Sequence, residues 1–340
     1  MSTQTFTSTT TLRSQPQAIL QLRGAHTSPN TNAFPELDRQ GYTVVKNVLS
    51  SEKSIEYVER AFDWLEGFNK GFKRNDRSTW KPENLPAFSR GGLFNRHGAQ
   101  HEQWAWDVRS EQAIVDVFSK IWDTQELLVS FDAVNISLPF DQDAVFQKES
   151  WPHTDQSPLR RHKHCIQGIM NLVEVGPKDG SLLVLEGSFE LYNEFFETHD
   201  QDAPPEGWSW RDSFVPTDEQ IQWFYDRGCK WKKIEAGPGD LILWDSRTIH
   251  YGGNAEGDSI RVATYVCYKP AKDIEPDALE RRKKCWNELI GTSHDPVLFR
   301  ETGSIALGPL SEDERLRPLE RPVLSDRAKL LAGIESYRSR

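Results

Sequence analysis

The chain has 340 residues, of which 37% are hydrophobic, and its formal net charge is −10. This length is enough to bury a large core, as one big domain or two ordinary ones. The acidic balance argues against a nucleic-acid partner, which would favour a basic surface, and no apolar run approaches the length of a membrane span. The four cysteines are far apart, with no CxxC pair, so neither a disulfide framework nor a zinc knuckle is expected.

Residues 1–35 are predicted to be a disordered tail. They contain no Asp or Glu, are rich in Ser and Thr, and carry Arg13 and Arg23. Transit peptides share this bias, but two arginines without a strong amphipathic face favour the plain tail. The last four residues, 337–340, do not match a peroxisomal signal. We therefore expect a cytoplasmic protein, ahead of a mitochondrial or peroxisomal one.

Residues 36–270 are predicted to form a single domain, mainly β with flanking helices. Short apolar or β-branched runs are separated by Gly, Pro, Asn and Asp, which is typical of strands joined by turns. Helices are predicted at 51–68, capped by Ser50 or Ser51, and at 110–122. The order favours a β-sandwich or jelly-roll barrel over a βαβ sheet. The predicted strands lie at 41–46, 127–138, 165–175, 181–185, 231–234, 240–244, 248–251 and 260–268.

Three further segments have their own character. A helical insertion is predicted near 188–228, with helices at 189–198 and 217–227, and a helical, charged C-terminal extension at 271–340. The aromatic segment 69–104 is either a lid over a binding site or an irregular covering of the core.

The tripeptide His153-Thr154-Asp155 is a candidate metal-binding motif. On a strand, His153 and Asp155 would project from one face, with Thr154 turned away. An imidazole and a carboxylate so placed are two of the three ligands of a 2-His-1-carboxylate site, which holds Fe(II) and leaves coordination positions open. With 9 His and 51 Asp plus Glu in 340 residues, about 1.4 such tripeptides (9 × 51/340) are expected by chance, so the motif needs support from elsewhere.

That support comes from His250 and Arg261. His250 follows His153 by 97 residues (250 − 153), after a Pro-Gly turn and an apolar strand, and Arg261 lies 11 residues further on (261 − 250). A guanidinium binds a carboxylate in a planar two-point contact that Lys cannot reproduce. A metal with such an arginine nearby is what a chelating 2-oxo-dicarboxylate needs. The alternative for Arg261 alone is an ordinary surface or ion-paired arginine.

The same residues carry a resemblance to a known family. Between the two histidines lie Asp179-Gly180-Ser181-Leu182 and Glu186-Gly187-Ser188, and Gly239-Asp240 precedes the distal one. Over residues 36–270 the combination resembles the phytanoyl-CoA dioxygenase family. Trp151–Ser157 with Gln167-Gly168 is most similar to its fungal members, several of which act in specialised metabolism. The resemblance implies a double-stranded β-helix, a cupin-like jelly-roll.

The resemblance also implies roles for the site residues. His153, Asp155 and His250 are expected to bind Fe(II), and Arg261 the distal carboxylate of 2-oxoglutarate. O2 is the second co-substrate and ascorbate a candidate reductant. Further candidates are Asn135 and Gln167 for cofactor binding and Phe94, Phe131 and Gln156 for the substrate.

The implied reaction is hydroxylation, desaturation or oxidative cyclisation of a small organic substrate, an amino acid or a specialised metabolite. Related halogenases replace the ligand carboxylate by a small residue, whereas Asp155 is present here, so halogenation is not favoured. The alternatives are an acyl-CoA hydroxylase of the phytanoyl-CoA type, a non-catalytic metal-binding jelly-roll protein and a zinc hydrolase. The expected partner is a small molecule, with neither nucleic acid nor membrane. The oligomeric state, a homodimer included, is left open.

The run Arg160-Arg161-His162-Lys163-His164 has three interpretations. Charge runs usually face water, so a solvated loop or strand edge is favoured. The run could instead attract an anionic substrate, or His162 or His164 could replace His250 as a ligand, although the spacing fits a zinc cluster poorly. The remaining histidines are interpreted as surface or packing residues: His26, His97, His101, His199 and His294.

Overall fold

The computed structural model describes residues 33–140, 151–302, 315 and 317–337. Residues 1–32 of the predicted tail, with His26, and residues 338–340 at the C-terminus lie outside this range. The helices of the described part are α1 Pro35–Gln40, α2 Ser51–Glu66, α3 Gln103–Arg109, α4 Gln112–Trp122, α5 Ser188–Thr198, α6 Asp218–Tyr225, α7 Pro276–Glu288 and α8 Asp326–Ala332. The strands are β1 Tyr42–Val45, β2 Leu93–Phe94, β3 Leu127–Val129, β4 Val134–Ser137, β5 Ile166–Asn171, β6 Ser181–Glu186, β7 Lys230–Lys233, β8 Leu241–Asp245, β9 His250–Gly253 and β10 Arg261–Pro270.

Two antiparallel sheets form the body of the domain. The larger has seven strands in the order β1-β8-β5-β10-β4-β2, with β3 also paired to β10, and the smaller has the order β7-β6-β9. Apart from β6 and β7, paired strands are not consecutive in sequence, and the chain passes repeatedly from one sheet to the other. This is the predicted fold: mainly β with flanking helices, a cupin-like jelly-roll.

The alternation of side chains along the strands explains why the two sheets pack together. On β8, Ile242 and Trp244 belong to the core that includes residues of both sheets, whereas Leu241 and Leu243 belong to the core on the other face. A strand with both faces buried is apolar on both of them, as β8 is from Leu241 to Trp244. The core shared by the two sheets consists of Tyr42, Ile169, Leu182, Val184, Ile234, Ala236, Ile242, Trp244 and Ala263.

The predicted helices are confirmed, and their ends differ only slightly from the predicted ones. Helix α2 begins after Ser50, whose hydroxyl accepts a hydrogen bond from the backbone N–H of Lys53, an N-cap interaction. The insertion has its two helices, α5 and α6, and α6 begins with a capping box formed by Thr217 and Gln220. No helix in the described ranges is long and apolar enough to cross a membrane.

The predicted strand at 127–138 is wrong in its middle. The chain leaves the ladder between β3 and β4, where the backbone N–H of Ala133 binds the Asp132 carboxylate and the backbone of Phe131 pairs with Thr292 of the C-terminal extension. The extension therefore takes the pairing positions that a continuous strand would use. A partner 161 residues away is not visible in a local pattern.

The C-terminal extension packs into the same hydrophobic core as the sheet. Trp286 of α7 and Leu331 of α8 are buried beside Phe131 and Val129. Arg282 is fully buried and donates to the backbone carbonyls of Ala332, Leu331 and Pro296, and to that of Val129 on β3. Helices α7 and α8 lie in this segment, and its definition as a separate extension that begins after residue 270 stays a prediction.

Candidate active site

The two candidate histidine ligands are brought together by backbone pairing. The N–H of His153 donates to the carbonyl of His250 over 3.0 Å, and the N–H of His250 donates back over 2.9 Å. His250 begins β9, which pairs with β6 on its other side. Thr154 faces the other way and pairs with Phe214 of the insertion. The segment therefore extends the small sheet, with the predicted alternation of its side chains.

Each imidazole is oriented by a backbone carbonyl. Nδ1 of His153 lies 3.1 Å from the carbonyl of Trp151, and Nδ1 of His250 lies 2.9 Å from that of Thr248. A carbonyl can only accept, so a neutral ring carries its proton on Nδ1 and keeps the lone pair on Nε2. Burial, followed by the neighbouring His250, lowers the pKa of His153 to about 4. His153 is thus neutral at pH 7 and available as a ligand.

The Asp155 carboxylate lies between the two Nε2 atoms. Oδ1 is 3.7 Å from Nε2 of His153, and Oδ2 is 3.4 Å from Nε2 of His250. Burial by itself would raise the pKa of Asp155, but His294, His153 and His250 around it bring that pKa well below its usual value. The group is therefore a carboxylate.

Two hydrogen bonds fix the position of Asp155. Its backbone N–H donates to the carbonyl of Ser246 over 3.0 Å. Gln167 on β5 donates from Nε2 to Oδ2 over 2.9 Å. Gln167, predicted as a cofactor-binding residue, thus lies in the site in contact with a candidate ligand.

The donor set fits a divalent iron ion. One candidate ligand atom from each of His153, Asp155 and His250 lies within 4.8 Å of the others. Two imidazoles that turn Nε2 to one carboxylate form the 2-His-1-carboxylate set, which leaves coordination positions open. Hydrogen bonds to ligand residues of this kind fix ring orientation and support metal affinity.

Arg261 and Asn135 line the same cavity, which has a volume of ≈ 720 Å³. Arg261 begins β10 and is only 6% exposed. Burial raises the pKa of Tyr265, four residues further along the strand on the same face, while Arg261 opposes that rise by charge and hydrogen bonding. Asn135 on the neighbouring β4 donates to the carbonyl of Gly91, and its Oδ1 is buried without a partner in the described ranges.

The three predicted substrate residues lie elsewhere, and that prediction is corrected. Phe94 and Phe131 are fully buried in the hydrophobic core, and Phe131 packs under the guanidinium of Arg282. Gln156 is also fully buried; its amide donates to the carbonyls of residues 160 and 162, and its Oε1 accepts from Ser246. None of the three is among the described residues that line the cavity. On a continuous strand at 127–138, Phe131 and Asn135 would share a face, but the chain leaves the strand between them.

The basic run at 160–164 is neither a substrate funnel nor a ligand set at this site. Arg160 pairs with Asp212 over 2.6 Å, Arg161 lies over the ring of Phe196, and His162 is exposed. His164 lies 3.0 Å from Asp295, which Lys269 also contacts at 2.9 Å. The run therefore connects the jelly-roll to the insertion and the C-terminal extension, and its interpretation as a simple solvated loop is incomplete.

The sequence interpretation missed His294 and Asp132. His294 was expected to be a surface or packing residue, but it lines the cavity, with Nδ1 3.9 Å from Oδ2 of Asp155. Asp132 lines the cavity too, from the connection between β3 and β4. Neither residue has a local motif, so only their distant partners could identify them. The packing interpretation is confirmed for His101, which is fully buried among aromatic rings.

Comparison with known proteins agrees with this geometry. The sequence profile of phytanoyl-CoA dioxygenase matches residues 37–263, more than half of the chain and with all of the candidate ligands inside. The chain belongs to the phytanoyl-CoA dioxygenase family. It is a 2-oxoglutarate-dependent non-haem iron dioxygenase, as the resemblance in the sequence implied.

Two curated relatives of this dioxygenase share most of their length with it. Ava biosynthesis cluster protein O of Aspergillus versicolor is 39% identical over 263 residues, covering 77% of this chain and 84% of the relative. A putative phytanoyl-CoA dioxygenase of Dictyostelium discoideum is 21% identical over 311 residues, covering 78% and 82%. The expected similarity to fungal family members is confirmed by the first of these.

Solved structures resemble the dioxygenase at low sequence identity. EctD from S. alaskensis with 2-oxoglutarate and 5-hydroxyectoine is 13% identical, with a TM-score of 0.49 and coverage of 84% of this chain and 86% of that one. The non-haem epimerase SnoN from nogalamycin biosynthesis is 15% identical, with a TM-score of 0.45 and coverage of 86% and 94%.

Proposed function

We propose that His153, Asp155 and His250 hold Fe(II) and that Arg261 binds the distal carboxylate of 2-oxoglutarate. One observation carries the proposal: two Nε2 atoms and one carboxylate converge within 4.8 Å, and both Nδ1 atoms are already engaged by carbonyls. A structural ion pair would not require both imidazoles to turn Nε2 to one carboxylate while Nδ1 of each contacts a backbone carbonyl. Arg261 lines the same cavity and is buried, so a carboxylate there would find a desolvated guanidinium.

Each residue then has a defined task. Gln167 holds the Asp155 carboxylate, and the carbonyls of Trp151 and Thr248 hold the rings. Arg261 orients the co-substrate from the far end of the cavity, and Asn135 lies on the adjacent strand with an unused carbonyl oxygen. When bound, iron with 2-oxoglutarate supplies the activation of O2 that oxidises a substrate C–H bond. The chain contributes binding, orientation and exclusion of side reactions.

The proposed reaction is hydroxylation, desaturation or oxidative cyclisation of a small organic substrate. The carboxylate of Asp155 occupies the position where a halide would need room, which disfavours halogenation. A cavity of ≈ 720 Å³ lies within the usual size range of small-molecule sites. An amino acid or a specialised metabolite fits this volume, and the relative from a fungal biosynthesis cluster supports the second.

An acyl-CoA substrate is the second candidate, because the family name includes one. Its phosphates would require free basic side chains, but Arg160 and His164 in the basic run are already paired with acids. The complete donor set together with Arg261 disfavours a non-catalytic metal-binding protein and a zinc hydrolase, since neither needs the arginine.

The test separates metal binding from turnover. Fe(II) and 2-oxoglutarate are added under anaerobic conditions, and the visible charge-transfer absorbance of the chelate is measured. Succinate is then measured after air and ascorbate are admitted. We expect both signals in the wild type and neither in His153→Ala. The matched control, His162→Ala, removes an exposed histidine and should keep both. Failure of the wild type to bind 2-oxoglutarate with iron would refute the proposal.

A further inference from the structure

Two distant segments meet at one end of the cavity and carry Asp132 and His294 there. The backbone N–H of Thr292 donates to the carbonyl of Phe131 over 2.7 Å, and the N–H of Phe131 donates to the Thr292 hydroxyl over 3.0 Å. The residues that follow, Asp132 on one segment and His294 on the other, line the cavity. Both therefore have fixed backbone positions.

His294 is held from its other side as well. The next residue, Asp295, is 2% exposed; it pairs with Lys269 over 2.9 Å and accepts from the backbone N–H groups of Val297 and Leu298. The His294 side chain is 14% exposed, and its Nε2 is buried without a hydrogen-bond partner in the described part of the chain. Buried polar atoms normally have hydrogen-bond partners, so a bound molecule would supply the partner of Nε2.

Asp132 is the acid of the cavity that has no assigned role. Of the described residues that line the cavity, two are acidic, Asp132 and Asp155, and Asp155 is a candidate metal ligand. Oδ1 of Asp132 accepts from the N–H of Ala133, while the nearby Arg109 binds the backbone carbonyl of Asp132. No lysine, arginine or histidine in the described ranges lies within ion-pair distance of the Asp132 carboxylate. Burial raises the pKa of Asp132, and the nearby His294 and Arg109 oppose that rise only in part. A cation bound beside the carboxyl group would favour its ionised form and offset the cost of desolvation.

We propose that Asp132 and His294 form the substrate-recognition pair of this cavity and that they select a substrate carrying a protonated nitrogen. The carboxylate would bind the positive charge, and Nε2 of His294 would share a further hydrogen bond with the bound group. Because Nδ1 of His294 is 3.9 Å from Asp155, a group bound at the pair lies beside the metal site. The inference rests on the proposed function, since it assigns the substrate class of that same site.

The remaining lining fits the carbon skeleton of such a molecule. Trp151 lies over the ring of His153 with centroids 4.1 Å apart, and Tyr251 also lines the cavity. Aromatic rings provide apolar contact and attract cations through their faces. Arylalkylamines, which join an aromatic ring to a protonated amino group, are therefore suitable probes.

The experiment compares matched amines and alcohols that differ only in charge. The pairs are benzylamine with benzyl alcohol, phenethylamine with 2-phenylethanol, and tryptamine with tryptophol. Binding to the protein loaded with Ni(II) and 2-oxoglutarate, which does not turn over, is measured by titration calorimetry at pH 7. At least one amine should bind about tenfold more tightly than its alcohol, a difference of about 1.4 kcal/mol, because only the amine carries a charge for the Asp132 carboxylate.

Three variants locate the selectivity. Asp132→Asn should abolish the preference for the amine. His294→Ala should lower the affinity for the amine without raising the affinity for the alcohol. Asp273→Asn is the matched control: this aspartate is exposed beyond the far end of β10 and should leave the preference unchanged. Thermal melting confirms that each variant is folded.

The outcomes separate the inference from the proposed function. Two results with 2-oxoglutarate bound to the metal would overturn the inference but leave the proposed function standing. In the first, no probe binds at millimolar concentration; in the second, each alcohol binds as well as its amine. Retention of the preference in Asp132→Asn also overturns it. If 2-oxoglutarate itself does not bind, the proposed function fails first.

Discussion

Gln167 donates a hydrogen bond from Nε2 to Oδ2 of Asp155 over 2.9 Å, joining a central strand of the large sheet to the candidate metal ligand. Register places Gln167 opposite Trp244 on one side and Cys267 on the other. The backbone of Gln167 is thus held on both sides by the sheet, so its side-chain amide reaches Asp155 from a fixed position. It therefore fixes the carboxylate before any ion binds, which favours rapid and tight binding of the metal.

Gln167→Leu should weaken Fe(II) binding by about 10–100-fold, the usual effect of losing a hydrogen bond to a metal ligand. Leu is similar in size, so the fold should be kept. Anaerobic titration with Fe(II) measures the affinity, and thermal melting provides the control. Unchanged iron affinity in a folded variant would show that Gln167 does not support the ligand.

Arg261→Lys should raise the dissociation constant for 2-oxoglutarate by about 10–100-fold, because Lys cannot reproduce a two-point contact worth about 1.5–3 kcal/mol. Iron affinity in the absence of 2-oxoglutarate should be unchanged, since Arg261 is not among the candidate metal ligands. The two affinities are measured separately by calorimetry. Equal loss of both would indicate a general disturbance of the cavity.

The buried pair of Lys269 and Asp295 should be important for stability. Their side chains are 5% and 2% exposed and lie 2.9 Å apart. Lys269→Met leaves the carboxylate buried, with His164 as its remaining ion-pair partner among the described residues. We expect a loss of about 3–5 kcal/mol in the free energy of unfolding, the usual cost of breaking a buried ion pair.

The double variant Lys269→Met, Asp295→Asn removes both charges and should be more stable than Lys269→Met alone. Denaturant unfolding of the wild type, the two single variants and the double variant gives the coupling energy. Strict additivity of the two substitutions would contradict a direct interaction. The same set should show weaker probe binding in Lys269→Met, because His294 adjoins Asp295.

His101 should make the protein less stable in acid. Its Nε2 lies 2.9 Å from the carbonyl of Ile290, and its Nδ1 accepts from the indole N–H of Trp106. Burial lowers the pKa of His101 from 6.5 to about 3. Between these two values the unfolded chain binds a proton that the folded protein does not, so stability falls as the pH drops from about 6.5 towards about 3.

The measurement is denaturant unfolding between pH 7 and pH 4 for the wild type and His101→Gln. The variant is expected to be less stable at pH 7, since packing is lost. As the pH falls, the free energy of unfolding of the variant should decline less steeply than that of the wild type. The difference in slope is up to about 1.4 kcal/mol per pH unit, the value for one proton. Parallel declines in the two proteins would show that His101 is not the titrating group.

The sequence by itself determined which residues form the candidate metal site. His153 and Asp155 share a face because strand side chains alternate, and this holds in any strand. Residues of the next strands, His250 and Arg261, were recognisable because turn residues and apolar runs mark where strands begin. The helix beginning after Ser50 was predictable for the same reason, since capping depends on a few neighbouring residues.

Only the tertiary structure decided which side chains reach the cavity. Phe131 looked like a pocket residue from its alternation with Asn135, but pairing with Thr292 turns the chain and buries the ring in the core. The same pairing brings His294 to the site, 139 residues along the chain from Asp155 (294 − 155). Local propensity reports the conformation of neighbouring residues, whereas exposure and proximity depend on contacts between distant segments. Contacts between distant segments form only when the whole core packs, and for this physical reason a local pattern does not reveal them.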